Sequence, residues 1–365
     1  MAKYRSLLVG CGARATEHAD VYRDIPNMEL VACCDLLPER VEHYKQTYGI
    51  PEGFTDIHEA LAKIKPDVVH FVTHPAHRVW EAQTAADAGV KACIIEKPVA
   101  VLPSDVVGLD AVHDSTGMEI ITNTQRSYFP QFNDGTITDI VANKLGEVYM
   151  VHAGARGNSM SMGPHMMDLL LLFLGRPMPE SVWGMGYEIW EPTEGVVDYR
   201  DTHRSPEHLL AEYWMPCAWQ HAPNIRVIFE CGEDVMGTPH EESFWMHLHF
   251  DFLGSKGRLY LTQNKGYWYQ SEGMTEPIHG ESSWDKQGRQ GQRDFTAAVA
   301  DHLDGKALHH NRWETGRVVV LALLGAQQSI YENTRIDFPL NFDDAKWEAL
   351  RARLLAEQKA REATA

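Results

Sequence analysis

Short apolar runs alternate with amphipathic stretches through the first 125 residues. The runs SLLVG (6–10), LVACCD (30–35), VVHFVT (68–73), KACIIE (91–96) and EIITN (119–123) are rich in β-branched residues and bounded by Gly, Pro or Asp. Such runs read as strands buried on both faces. The segments between them (15–24, 38–48, 56–64, 76–88 and 104–115) read as helices, so the pattern predicts βαβ units and a parallel sheet. From about residue 126 the pattern changes to strand-like runs rich in Trp, Tyr, His and Val. They are VYMVHAGAR, SVWGMGYEIW, LAEYWM, IRVIFEC, SFWMHLHFDFLG and RLYLTQ. In Trp245-Met246-His247-Leu248-His249-Phe250, alternation puts His247 and His249 on one face. The tail from 343 to 365 reads as an amphipathic helix with a frayed end. Three regions follow: an α/β domain over 1–125, a strand-rich domain over 126–342, and a helical tail over 343–365.

At 365 residues the chain exceeds one usual core, which agrees with two domains. A formal charge of -18 and no Lys/Arg-rich stretch exclude sequence-independent nucleic-acid binding, which needs basic surface. No stretch reaches the ~20 apolar residues of a membrane span, and the opening MAKYRSLLVGCG lacks a signal-peptide core. The six cysteines form no CxxC, so they read as buried free thiols of a cytoplasmic protein. A zinc site is not expected. The His247/His249 spacing suits a metal, but with no third ligand suggested nearby it reads as a polar sheet face.

Candidate chemistry begins at the first turn. Gly10-Cys11-Gly12-Ala13-Arg14-Ala15 is a GxGxxA that follows a predicted strand and opens a predicted helix. That is the context dinucleotide binding requires. Gly10 permits the tight turn, Gly12 lets the backbone approach a pyrophosphate, and Ala15 keeps the helix close to the sheet. Asp35, 25 residues after Gly10, suits the acid that accepts ribose hydroxyls. A carboxylate there repels a 2′-phosphate, and Leu36, Leu37 and Pro38 offer no cation, so NAD is favoured over NADP. Arg14 is the exception, a cation able to reach either phosphate.

The stretch PDVVHFVTHPAHRVWEAQTAADAGVKACIIEKPVA (66–100) contains Thr73-His74-Pro75-Ala76-His77 and Glu96-Lys97-Pro98. It resembles the oxidoreductases named for glucose–fructose oxidoreductase, inositol dehydrogenase and the rhizopine protein, written Gfo/Idh/MocA. The likeness continues through NTQRSYFPQF (123–132), NKLGEVYMVHAG (143–154), FLGSKGRL (252–259) and ETGRVVVLALLGAQQSIYENTRI (314–336). It implies a Rossmann-type parallel sheet followed by a large, open, mostly antiparallel sheet. It implies NAD held by Gly10, Gly12, Ala13, Arg14, Asp35, Thr73, His74, His77, Glu96, Lys97 and Gln125. It also implies a cis Lys97–Pro98 bond and Lys97 hydrogen-bonding the reacting hydroxyl. A homodimer or homotetramer would form through the open sheet.

The segment Ser161-Met162-Gly163-Pro164-His165-Met166-Met167-Asp168 falls where the family carries Asp-x-Gly-x-His-x-x-Asp. The glycine, histidine and second aspartate match, and Ser161 replaces the first aspartate. The resemblance gives His165 the role of base beside Lys97, and Asp168 that of orienting the imidazole or bonding a sugar hydroxyl. Read from residues alone, His165 also suits a helix start, and Asp168 suits the helix N-terminus electrostatically. Arg126, Arg156, Asn158 and Ser161 complete the expected substrate contacts. Trp214, Trp219, Trp245 and Trp268 offer flat faces to a sugar, yet tryptophan at this density is more often core or subunit interface.

The leading expectation is an NAD-dependent dehydrogenase of a sugar, glycoside or cyclic polyol hydroxyl, with Lys97, His165 and Asp168 catalytic. Two others stay open at this point. One is an enzyme of the same fold that keeps its NAD and oxidises a glycoside transiently for elimination or hydrolysis, motivated by Ser161. The other is a non-catalytic NAD-dependent sensor.

Overall fold

A computed structural model describes residues 3–189, 205–220, 224–233, 235, 247–281, 284–341 and 343–364. Trp245 and Met246 lie outside the described residues. The chain divides into two compact units, one of residues 1–100, 105–128 and 288–317, the other of residues 101–104, 129–287 and 318–365.

The first unit is built on six parallel strands: β1 (Tyr4–Val9), β2 (Met28–Cys34), β3 (Glu52–Phe54), β4 (Val68–Phe71), β5 (Ala92–Glu96) and β6 (Glu119–Asn123). Their order is β3-β2-β1-β4-β5-β6, the doubly wound arrangement. Helices α1 (Ala15–Asp20), α2 (Pro38–Tyr48), α3 (Ile57–Ile64), α4 (Arg78–Asp87) and α5 (Pro103–Thr116) make the crossovers. Every residue of β4 and β5 is buried, as a parallel sheet covered on both faces demands. On one side Val21, Tyr22, Ile94, Ile121, Phe295 and Val299 form a common core.

The second unit contains α6 (Pro130–Asn133), α7 (Thr136–Asn143), β7 (Val148–Ala155), α8 (Gly163–Leu174), β8 (Ser181–Ile189), β9 (Pro206–Met215) and β10 (Ile225–Cys231). It continues with β11 (Leu248–Gly254), β12 (Gly257–Thr262), β13 (Gly266–Ser271), β14 (Ile278–Gly280) and, after α9 (Trp284–Leu303) and α10 (Trp313–Glu332), β15 (Ile336–Asp337) and α11 (Asp344–Glu362). Among the described residues its sheet has nine strands, ordered β14-β13-β12-β11-β7-β10-β9-β8-β15, antiparallel except for the β7–β10 pair. Alternation decides its faces. Val182, Tyr213, Val227, Val151, Phe252 and Leu259 form one fully buried row across the sheet. The row beside it (Trp183, Glu212, Ile228, His152, Asp251, Tyr260 and Trp268) is half-buried and faces the other way. Helix α8 is apolar nearly all round and buried along its length. All six cysteines are buried free thiols. Among the described residues no helix is long and apolar enough to cross a membrane.

Candidate active site

In the first unit the site starts at the turn after β1. Gly10 has φ +91°, and a Cβ there would sit 2.4 Å from the Val72 carbonyl oxygen, so only glycine fits. At Gly12 a Cβ would meet nothing within 4 Å, which leaves the backbone open to a ligand. Asp35 braces the turn: its Oδ2 accepts from the Cys11 N–H at 2.7 Å and its Oδ1 from the Leu37 N–H at 3.0 Å. Each oxygen keeps lone-pair capacity for a ribose hydroxyl. Tyr44 donates its hydroxyl to the Gly12 carbonyl at 2.6 Å.

Arg14, which the sequence offered to either phosphate, is turned inward. Its Nε donates to Glu96 Oε1 at 2.7 Å and its Nη1 lies 2.5 Å from Glu17. The cation beside Asp35 is Arg40, 3.9 Å away and half exposed. Its place on the first turn of α2 is the signal that sequence reading passed over, having stopped at Pro38. Ala13 opens the same turn beside Gly12 and is exposed.

Glu96 ends β5 as a buried carboxylate. Besides Arg14, it accepts from Asn123 Nδ2 at 2.6 Å, from the Lys97 N–H at 3.0 Å and from His18 Nε2 at 3.1 Å. Arg14, His18 and Lys97 outweigh burial and hold it well below the usual carboxylate range. Lys97 follows across a cis bond to Pro98. Burial pushes its ammonium down to about 8, helped by Arg14 and Arg126 and opposed by Glu96. Arg126 is itself buried and pushed down to about 9 by burial and by Arg14.

The residues after β4 have structural duties. Arg78, fully buried, donates to the Thr73 hydroxyl at 2.7 Å and the Thr73 carbonyl at 2.9 Å, and pairs with buried Glu81 at 3.2 Å. Thr73 donates its hydroxyl to Glu81. His74 and His77 are exposed, and the His74 ring accepts from the Ala76 N–H at 3.2 Å. Gln125 is buried just past β6, and its Oε1 has no partner among the described residues. That orphaned oxygen, the buried Nη2 of Arg14 and the open space at Gly12 fit a polar dinucleotide laid over the carboxyl edge of the sheet.

In the second unit the loop from β7 to α8 is organised by Asn158. Its Oδ1 accepts from the Ser161 N–H at 2.8 Å and the Met160 N–H at 3.2 Å, and its Nδ2 donates to Glu207 at 3.4 Å. Ser161 is half-buried before α8, and His165 is buried on the helix's first turn. Asp168, also buried, is held by Arg176, which pairs with its carboxylate and donates to its carbonyl at 3.3 Å. Arg156 donates to Glu233 at 3.1 Å.

His247 and His249 touch at 2.8 Å between Nε2 and Nδ1, and both are buried. Burial and the neighbouring His247 and His152 push His249 down to about 4. Among the described residues no group of three or more His, Cys, Asp or Glu is placed to hold a metal.

Residues 4–123 match the family described as an oxidoreductase family with an NAD-binding Rossmann fold. That segment, about a third of the chain, is similar to the Gfo/Idh/MocA family that the match names. Among curated relatives, D-apiose dehydrogenase of Paraburkholderia graminis is 31% identical over 129 residues, 35% of this chain and 34% of that protein. D-glucoside 3-dehydrogenase of Escherichia coli is 24% identical over 198 residues, 49% of this chain and 56% of that one. The chain thus spans about a third and just over half of these relatives' lengths.

Solved structures extend the likeness in fold. An oxidoreductase from Agrobacterium radiobacter, in complex with NAD+, L-tartaric acid and magnesium, has a TM-score of 0.75 at 14% identity, covering 92% of this chain and 98% of that one. The WlbA dehydrogenase from Bordetella pertussis, in complex with NADH and UDP-GlcNAcA, has a TM-score of 0.72 at 19% identity, covering 93% and 100%. The two-sheet architecture is therefore that of known oxidoreductases.

Proposed function

We propose that this protein is an NAD-dependent dehydrogenase that oxidises a ring hydroxyl of a sugar, glycoside or cyclic polyol in a reducing cytoplasm. The observation that carries the reading is Lys97. It is a lysine with its ammonium pushed down to about 8, fixed beside a saturated carboxylate that also binds Arg14 of the glycine turn, where Gly12 is left open. A lysine so tuned exchanges a proton with an alcohol near neutral pH, where an ordinary lysine stays charged.

Bound NAD supplies the hydride acceptor. Gly10, Gly12, Ala13 and Arg14 would hold its phosphates, Asp35 its ribose hydroxyls, and Thr73, His74, His77, Glu96 and Gln125 the edge on which it lies. Lys97 takes the hydroxyl proton, and His165, buried on α8, is the second proton-transfer group this reading assigns. Asp168 supports α8 through Arg176, and Arg126, Arg156, Asn158 and Ser161 are the polar groups offered to substrate.

The test is incubation of the full chain with NAD and a panel of pentoses, pyranosides and inositols, following NADH absorbance and product mass. A ketone two mass units lighter with matching NADH is the expected result. Silence across the panel, or a cleaved sugar without net NADH, overturns it.

We also infer that the protein works as a homo-oligomer. The half-buried face of the nine-stranded sheet supports this. Its charges are paired on the spot, His152 with Glu230 at 2.8 Å, Arg258 with Asp251 at 2.7 Å and Arg226 with Glu212, among Trp183, Met185, Leu210 and Tyr260.

A further inference from the structure

Behind Glu96 runs a line of buried polar side chains that hydride transfer does not require. The Tyr22 hydroxyl lies 2.5 Å from His70 Nε2, His70 Nδ1 lies 3.0 Å from His18 Nδ1, and His18 Nε2 lies 3.1 Å from Glu96 Oε1. His18 on α1 and His70 in β4 are fully buried.

The direction of every bond follows from the donors available. Glu96 already accepts from Arg14, Asn123 and the Lys97 amide, and an ionised carboxylate has nothing to donate. His18 Nε2 must therefore carry the hydrogen. Asn123 Nδ2 also lies 3.2 Å from His18 Nε2, but its two hydrogens are spent on Glu96 Oε1 and, at 3.4 Å, on Gln292 Oε1. A neutral His18 then has a bare Nδ1, so His70 Nδ1 donates to it. That leaves His70 Nε2 bare to accept the Tyr22 hydroxyl. Burial, with His18 beside it, holds His70 well below its ordinary range, and burial raises the Tyr22 phenol, so both stay neutral. The reverse order needs His18 as an imidazolium. That would add a second buried cation beside Arg14, with Lys97 and Arg126 already acting on the same carboxylate's surroundings.

We propose that Tyr22, His70 and His18 are positioning residues, a one-way hydrogen-bond chain that holds the His18 ring with its Nε2–H on Glu96 and so keeps Glu96 an ionised clasp on Arg14 and on the Lys97 amide. The logic is that of a buried group holding an imidazole in one tautomer so that its far nitrogen presents the hydrogen the site needs. Without His70, His18 Nδ1 loses its donor, and the ring is free to turn and withdraw its Nε2 hydrogen from the carboxylate. Glu96 takes up a proton or turns away, and Lys97 loses the neighbouring charge that favours its ammonium. The groups facing Lys97 in this unit are Glu96, Arg14, Arg126 and Glu17, and Glu96 is the one whose charge depends on the chain.

The catalytic consequence rests on the dehydrogenase reading, whereas the tautomers do not, and the experiment separates them. Long-range proton–nitrogen NMR of the full chain labelled at histidine reads both rings directly. We expect His18 as the Nε2–H form and His70 as the Nδ1–H form, with His70 not titrating from about pH 5.5 to 8.5, where a free imidazole does. In His70→Phe the His18 Nδ1 signal moves to that of a bare, unbonded nitrogen and the Nε2–H signal toward an unbonded one, whereas His70→Asn, whose amide still donates, preserves both. A doubly protonated His18, or a His18 unmoved by His70→Phe, overturns the chain. The parent protein decides the tautomers even where His70→Phe does not fold. In NADH-forming turnover, His70→Phe moves the limb of kcat/KM set by Lys97 about one pH unit lower, and His70→Asn leaves it in place. A limb unmoved in His70→Phe overturns the positioning role. Absent turnover with the expected tautomers overturns the dehydrogenase reading and leaves the chain standing.

Discussion

Lys97 shows how one residue ties function to stability. Its ammonium is pushed down to about 8 in the fold, against an ordinary ~10.4 in the unfolded chain. Between those values the unfolded chain binds more protons, so folding gains stability as pH rises through that window. Below about 8 both states are protonated and the whole cost of burying the charge is felt. Lys97→Met removes that cost at neutral pH. After allowance for the residue's partial exposure, it gains about 1–2 kcal/mol, a few degrees in Tm. The gain should vanish above about pH 10, where the wild-type amine is already neutral. On the proposed dehydrogenase reading, turnover falls at least ~100-fold in the same variant, because the proposed proton acceptor is gone. Calorimetry at pH 7 and pH 10 beside kcat measurements checks both halves. A variant that loses stability at pH 7 would show that the lysine's packing outweighs its charge.

At the scale of elements, the turn between β1 and α1 separates two jobs that glycine performs. Gly10 is required by the fold: Ala there combines φ +91° with a Cβ 2.4 Å from the Val72 carbonyl oxygen. The expected loss is about 2–4 kcal/mol. Gly12 has room for a Cβ in the protein alone, so Gly12→Ala should keep Tm within about 2 °C while weakening NAD binding at least ~10-fold. Thermal unfolding and calorimetric titration with NAD resolve the two, and a Gly12→Ala that binds NAD normally would place the pyrophosphate elsewhere.

The same turn shows what a sequence can disclose. The run 6–10, the GxGxxA and Asp35 are local or one crossover apart, so periodicity and spacing reveal them. β3 and β15 are too short for any period to register, and both went unseen. His18, His70, Glu96 and Asn123 escape for another reason: they lie 26 to 105 positions apart along the chain, and only the order of β1, β4, β5 and β6 brings them together. Arg78 and Glu81 hide likewise, as an ordinary i,i+3 pair whose burial no pattern betrays.

For the whole molecule, the question is what covers the outward face of the nine-stranded sheet. The chain carries a net charge of -18, which opposes association between copies over most of its surface. On this face Arg226 pairs with Glu212 and Arg258 with Asp251, and Glu230 lies 2.8 Å from His152. Between those pairs stand Met185 at 48% exposure, Tyr187 at 41% and Leu210 at 36%, with Trp183, Tyr260 and Trp268 half-buried beside them. A charge-paired, aromatic surface on an acidic molecule is where a second copy meets least repulsion and buries most apolar area. A stable pair needs about 1,000 Å² or more of buried surface, and sheet faces serve well because a two-fold axis presents the same patch from both sides. Sedimentation equilibrium should therefore give an integral multiple, two or higher, of 41.3 kDa. Because the charges are already satisfied within each copy, assembly should persist in ~1 M salt, where exposed cross-interface ion pairs would be screened. Met185→Asp combined with Leu210→Asp places two unpaired carboxylates on each copy's patch and should release the 41.3 kDa species with its fold intact. Leu308→Asp, at a leucine 69% exposed in the other unit, should leave the assembly unchanged. A wild-type protein sedimenting at 41.3 kDa, or a double variant that stays assembled, would mean that something other than a second copy of this face covers it.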